Sequence, residues 1–232
     1  MKIDPLEAGT RRSQIVQRLT EYIVGGSFPV GSRLTEVELS RQLGVSRAPL
    51  REAIRELVDT GLLVSIPYRG LFVRDFTIED LDELYSLRTA LEQLAFRRCW
   101  DKRTAAACSD LQNRNAKLKR AVEKGASPVR TIELELRLHD WAYELAGHKL
   151  LQEAWDRLKP NLQFYFTLHQ KAHQRGGPLI DAHEKYVNYA CGTDLDAMLR
   201  HLEQHMQQGY ERVAKFIAKG NEDLVKRANL SR

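Results

Sequence analysis

The feature that most narrows the fold is a four-residue turn, Leu43-Gly44-Val45-Ser46, set between two short stretches of helical period. Gly44 is placed to cap the first stretch in the left-handed conformation, Val45 to tuck into the core of the turn, and Ser46 to cap the next helix, with Pro49 in its first turn. Before the turn, Ile15, Leu19, Ile23 and Val24 mark a helix over 11–24 that Gly25-Gly26 ends, and residues 27–33, with Pro29 and Gly31, read as a loop. Thr35 with Glu38 three residues on is a capping-box signature for the second helix, which runs through Leu43, and Gly61 ends the third. Residues 62–66 are then apolar and β-branched, Pro67-Tyr68-Arg69-Gly70 turns the chain, and Leu71-Phe72-Val73 resumes it as a small hairpin. Three helices and a hairpin within about 65 residues follow the plan of a winged helix-turn-helix, which presents its third helix to DNA.

After Asp75 nothing strand-like returns. Thr77 with Asp80 opens a helical pattern, and the periodicity predicts helices roughly over 77–99, 104–124, 128–146, 149–173 with a break or kink at Pro160, 179–190 and 194–219. Thr193 with Asp196 reads as the capping box of the last. Gly176-Gly177-Pro178 is the clearest internal break, Gly192 separates the final two helices, and the polar tail from Asn221 reads as frayed. The expected fold is therefore mainly α: a winged helix-turn-helix over 1–75 and an all-α antiparallel helical bundle over 76–232.

Composition excludes more than it selects. An apolar share of 43% and a charged share of 29% suit a globular protein, and no apolar run approaches the roughly 18 residues of a membrane span. Residues 1–12 carry no apolar signal core, and Cys99, Cys108 and Cys191 are scattered, so a reducing cytoplasm is the expected compartment. The net charge of +5 divides almost evenly between the two segments, so the case for nucleic acid rests on where the arginines sit. Arg47, Arg51 and Arg55 recur every four residues and share one stripe of the third helix, while Leu50, Ala53, Ile54 and Leu57 supply its apolar face. Such a stripe is often a solvated face paired with its own acids, here Glu52, Glu56 and Asp59. At the N-terminal end of a recognition helix the same guanidiniums reach guanine edges or phosphates, with Ser46 as cap and phosphate donor, and Arg69-Gly70 in the wing permits close approach to a groove.

The segments Gly31-Ser32-Arg33-Leu34-Thr35-Glu36, Leu43 through Ala53, Gly61-Leu62 and Arg69-Gly70-Leu71-Phe72-Val73 together resemble the GntR family of bacterial transcriptional repressors. That resemblance implies DNA contacts from Arg33, Arg47, Arg51 and Gly70; the role of Arg55 rests on the helical stripe alone. The remainder is similar to the family's FadR-type effector domain, FCD, through Leu87-Arg88-Thr89-Ala90-Leu91-Glu92, Glu135-x-x-x-His139, His183 and His205. Such domains bury one divalent metal on an Asp-x-x-x-His pair and two further histidines, so the resemblance implies Glu135, His139, His183 and His205 as ligands of zinc or nickel. Glu135 is one methylene longer than the family's aspartate, so either its helix stands farther off or a water takes its place.

Arg88 is the candidate cation for a small organic acid effector, with an ion pair to Glu92 as its other reading. The pairs His201/His205 and His169/His173 stand one helical turn apart, and His148 falls where the family carries asparagine. The expected protein is a homodimeric repressor that reads a palindromic double-stranded operator, is not an enzyme, and responds to an organic acid held at the metal. A repressor that senses the ion itself is one competing reading. A helical-bundle metalloenzyme is another, although His183-Glu184 lacks the second histidine of an HExxH motif.

Overall fold

The computed structural model describes residues 11–24, 27–75, 77–172 and 177–230, and the chain falls into two compact units, Met1–Asp75 and Phe76–Arg232. Gly25, Gly26, His173, Gly176 and the side chain of His169, all singled out above, lie outside the described residues.

In the first unit α1 (Arg11–Val24), α2 (Glu36–Leu43) and α3 (Arg47–Asp59) accompany a sheet of β1 (Arg33–Leu34), β2 (Leu63–Ile66) and β3 (Gly70–Val73). Helix α1 packs on α3, burying Ile15, Leu19 and Ile23 beside Leu50, Ala53, Ile54 and Leu57. Each fully buried leucine or isoleucine contributes roughly 1.5–3 kcal/mol, more than the ~1 kcal/mol of any cap at these short helix ends. Gly44 caps α2 at φ 64°, and the turn is tied twice, by the Val45 amide to Ser40 O (3.1 Å) and by the Ser40 hydroxyl to Val45 O (2.6 Å). Only half of the expected capping box forms: Thr35 Oγ1 accepts from the Glu38 amide at 3.3 Å, while the Glu38 carboxylate accepts from Arg41 and Gln42.

The sheet order is β1-β3-β2, antiparallel throughout, with Arg33 opposite Phe72 and Val64 also opposite Phe72. The hairpin was readable from sequence, but the third strand falls inside the expected loop. Two residues leave no alternation to read, and β1 exists because β3 offers it a partner some 40 positions away.

The second unit holds α4 (Ile78–Cys99), a 3₁₀ turn (Trp100–Lys102), α5 (Ala105–Glu123), α6 (Pro128–Ala146), α7 (Lys149–Ala172), α8 (Ile180–Ala190) and α9 (Leu195–Leu230). Helix α4 packs on α6, α7 and α9, α5 on α6 and α8, and α9 also on α7 and α8. Helix α6 is apolar around most of its circumference, with Ile132, Leu136, Leu138, Trp141, Ala142 and Tyr143 all buried, so Glu135 and His139 on it lie inside the bundle.

Three expectations are corrected. Of the break or kink expected at Pro160 the break is absent: α7 runs through it as one helix, since the buried Leu151, Trp155, Leu162 and Phe164 on either side hold it against the ~3 kcal/mol that an internal proline costs. The cap of α9 is Asp194, whose Oδ1 accepts from the Ala197 amide at 2.9 Å, so Thr193 and Asp196 are not the box. Helix α9 also continues to Leu230, through the segment expected to fray. The Thr77/Asp80 box is complete, with both reciprocal bonds at 2.9–3.1 Å. No helix among the described residues is long and apolar enough to cross a membrane.

Candidate nucleic-acid interface and candidate metal centre

On α3, Arg47, Arg51 and Arg55 are exposed while Leu50, Ala53, Ile54 and Leu57 are buried, so the stripe faces solvent. Among the described residues none of the three arginines pairs with Glu52, Glu56 or Asp59; Glu56 meets Arg12 at 3.3 Å instead. Arg51 Nε reaches back to Glu36 Oε2 on α2 at 2.8 Å, an exposed pair worth at most about 1 kcal/mol and therefore exchangeable for a stronger anion. Ser46 stands at the N-cap, exposed, and its hydroxyl makes no capping bond. The hydroxyl and the first amides of α3 together form a ready site for a phosphate.

Arg33 and Gly70, far apart in sequence, are in contact. A Cβ on Gly70 would stand 3.2 Å from Arg33 Nε, and its φ of 110° suits only glycine, so the wing glycine lets the guanidinium lie across the strand. At the hairpin tip Tyr68 is fully exposed with φ 62°, an uncommon conformation for an aromatic residue, and Arg69 beside it is exposed. Tyr68 was missed from sequence; its place in the turn was visible, its strained backbone was not.

In the helical unit His139 (α6), His183 (α8) and His205 (α9) each offer one ring nitrogen, and the three lie within 4.8 Å of one another. His139 Nδ1 meets Glu92 Oε1 at 2.7 Å, and His183 Nδ1 meets the Leu179 carbonyl at 3.1 Å. A carboxylate and a carbonyl only accept, so both Nδ1 atoms carry the proton and donate it. Nε2 is the ring nitrogen left over on each, and both Nε2 atoms are buried without a hydrogen-bond partner among the described residues. Burial pushes the His139 imidazole below its ordinary pKa, and burial together with His183, His139 and Arg88 pushes His205 well below, so both remain neutral donors of a lone pair. Converging imidazoles, one of them braced by a carboxylate, fit the donor set and outer shell of a divalent ion.

Glu135 borders this set without belonging to the mutually close group. Its Oε1 stands 3.4 Å from His183 Nε2. Next to the histidines opens a cavity of about 350 Å³ whose walls include Tyr85, Arg88, Glu135, Phe166, His183 and His205.

Arg88 makes the ion pair expected as its second reading. It faces Glu92 Oε2 at 3.5 Å and lies over the Phe166 ring at 5.1 Å, yet among the described residues its Nε and Nη2 find no hydrogen-bond acceptor although the residue is only 2% exposed. Buried guanidinium donors without acceptors on the wall of a cavity are able to take an anion. Glu92 was weighed from sequence only as the partner of Arg88, and Tyr186, whose hydroxyl donates to Glu92 Oε1 at 2.9 Å, was missed. The spacing that could have found it is Tyr186 three residues after His183 on one helix face.

The remaining histidines divide. His201 stacks on Tyr189 with centroids 4.6 Å apart and lies outside the mutually close set. His148 precedes α7, and its Nδ1 accepts from the Leu151 amide at 3.3 Å, a capping bond that an asparagine side chain makes equally well.

Residues 11–73 match the family model of bacterial regulatory proteins, gntR family, and residues 83–208 match that of the FCD domain. The chain is 25% identical over 210 residues to the HTH-type transcriptional regulator YdhC of Bacillus subtilis, covering 90% of this chain and 94% of that one. It is 23% identical to the gluconate operon transcriptional repressor of Bacillus licheniformis, over 90% of each. Among solved structures, Escherichia coli McbR/YncC superposes with a TM-score of 0.72 over 90% of this chain and 99% of that one, at 23% identity. These relatives are regulators of transcription, not enzymes, which sets aside the metalloenzyme reading. With the FCD match alone spanning more than half of its length, the chain belongs to the GntR family of bacterial regulatory proteins, as a DNA-binding transcriptional regulator with an FCD domain.

Proposed function

We propose that the chain is a homodimeric repressor in which residues 1–75 read a palindromic operator and residues 76–232 dimerise and hold a small organic acid at a metal. On the DNA side Arg47, Arg51 and Arg55 meet base edges or phosphates, Ser46 and the amides of α3 a phosphate, and Arg33, Arg69 and Gly70 the flanking groove. On the effector side His139, His183 and His205 would hold zinc or nickel through ring nitrogens, with Glu135 beside them. The ion, when bound, supplies a Lewis-acidic positive charge that an organic carboxylate can approach. Arg88 offers that carboxylate its unfilled Nε and Nη2 donors, and Phe166 and Tyr85 wall off water.

The observation that carries this reading is the coincidence of three converging imidazoles and a buried, acceptor-poor guanidinium on the wall of one cavity. An ion acting alone as signal would leave Arg88 without an acceptor, which favours the organic acid over the ion-sensing reading. The test is operator binding by fluorescence anisotropy, on DNA selected from random sequence, with zinc- or nickel-loaded and chelator-stripped protein against a panel of small mono- and dicarboxylates. The reading requires that at least one acid change operator affinity in loaded protein only. Equal affinity under all conditions overturns it.

A further inference from the structure

Glu92 is fully buried, and its two carboxylate oxygens face different partners. Oε1 accepts from His139 Nδ1 at 2.7 Å and from the Tyr186 hydroxyl at 2.9 Å, whereas Oε2 faces Arg88 Nε at 3.5 Å, longer than a good hydrogen bond, and has no hydrogen-bond partner among the described residues. One side chain on α4 therefore touches both a metal-ligating imidazole on α6 and the cation on the cavity wall. We infer that Glu92 is a positioning residue that relays between them, setting the strength of the His139 ligand according to how far Arg88 draws on the same carboxylate. The inference rests on the metal reading above and names a coupling within it.

The physical chain has three links. First, a carboxylate on Nδ1–H fixes the tautomer that leaves Nε2 free and makes that nitrogen a better donor to an ion. The His139 ring has little freedom to answer by turning, because the Tyr186 ring packs edge-on against it with centroids 4.9 Å apart. Secondly, the Arg88 contact to Oε2 is longer than a good hydrogen bond, so an anion in the cavity can compete for the guanidinium. Thirdly, an anion that engages Arg88 returns the full negative charge of Glu92 to His139, so anion and ion each tighten the other, as linkage requires of any such pair. A buried Arg–Glu pair with unfilled donors is a poor device for stability alone, and it is well placed for a relay.

The test uses the full chain, stripped by chelator and titrated with Co²⁺, followed by its d–d absorption, and with Zn²⁺ against a chromophoric chelator; circular dichroism and melting report the fold. E92Q keeps the shape and an acceptor but removes the charge, and is expected to weaken Co²⁺ and Zn²⁺ binding by about 10- to 100-fold, with an altered Co²⁺ spectrum. R88M removes the competing cation and is expected to tighten both ions several-fold. Through-space repulsion by Arg88 would act in either background, so the relayed share is the part of that gain lost in the R88M/E92Q double variant.

A folded E92Q that binds within about twofold of wild type, or a strictly additive cycle, overturns the relay. Should E92Q not fold, R88M carries the test, and unchanged ion affinity in it overturns the relay equally. Wild-type protein that binds neither ion overturns the metal reading beneath, a result distinct from wild-type binding with an indifferent E92Q.

Discussion

The arginines of α3 and Arg88 on the wall of the cavity beside the histidines meet opposite treatment. Arg47, Arg51 and Arg55 stand in water, and the ion pair of Arg51 with Glu36 leaves 57% of that arginine's side chain exposed. Arg88 and Glu92 are sealed in the bundle, 3% and 0% exposed, with three helices contributing to the carboxylate's surroundings. The first arrangement costs almost nothing to keep and almost nothing to undo, which suits a surface that binds and leaves a polyanion. In the second, each charge depends on its neighbours, so removing one group strands the others. Function in the first region is expected to separate cleanly from stability, and in the second the two are tied.

The strongest way to break that contrast is His139→Ala in metal-free protein. It leaves Glu92 without a donor it depends on and opens a cavity at a fully buried position. The expected loss is about 3–5 kcal/mol of unfolding free energy in urea, and the same variant reloaded with zinc is expected to retain no stoichiometric metal by elemental analysis. A His139→Ala protein as stable as wild type would mean that the buried network is not held by mutual dependence.

On the other side, Arg47→Ala is expected to cost about 1–3 kcal/mol of operator binding and to leave stability within about 0.5 kcal/mol, measured by anisotropy over a salt series and by urea unfolding. If Arg47 meets phosphate the slope of log affinity against log salt falls by about one, and if it reads a base the slope is nearly kept while sequence preference relaxes. Loss of stability equal to the loss of binding would erase the distinction between the regions.

What was legible in the chain follows the same division. Helix bounds of α1, α2 and α6 and the hairpin could be read because caps, glycines and apolar period are written locally, as at Gly44 and at Thr77 with Asp80. The exposed arginine stripe needed only the period of one helix. Strand β1, the uninterrupted α7 and the Asp194 cap could not be read, since each depends on a partner elsewhere or on which of several adjacent polar residues captures an amide. The convergence of His139, His183 and His205 from three helices came from resemblance, because no spacing within one helix implies it. Glu92 was in view as a motif letter and as the partner of Arg88, but its link to His139 is a tertiary contact 47 residues away.

His148→Ala offers a smaller and more local test. Loss of the Nδ1 bond to the Leu151 amide is expected to cost about 1 kcal/mol, while His148→Asn keeps stability near wild type in urea unfolding, because a cap needs only a well-placed acceptor. A loss of metal in His148→Ala would show that the two ends of the helical unit are not independent.

The smallest expected effect is also the sharpest test of the loose surface. Glu36→Gln removes the acid that holds Arg51 back from the DNA face while keeping the size of the side chain. The pair is exposed, so its loss should change unfolding free energy by less than about 1 kcal/mol. Removing a negative charge beside the recognition helix and freeing a guanidinium both favour a polyanion, so operator affinity at low salt should rise several-fold, and the gain should shrink as salt screens the charge. In the Arg51→Ala background the same substitution should give a smaller gain, since only the general charge term remains. If Glu36→Gln weakens the operator complex instead, Glu36 orients Arg51 for a base edge and does not merely restrain it. The exposed pair would then be a preorganised reader, closer in kind to the buried network than the contrast between the two regions allows.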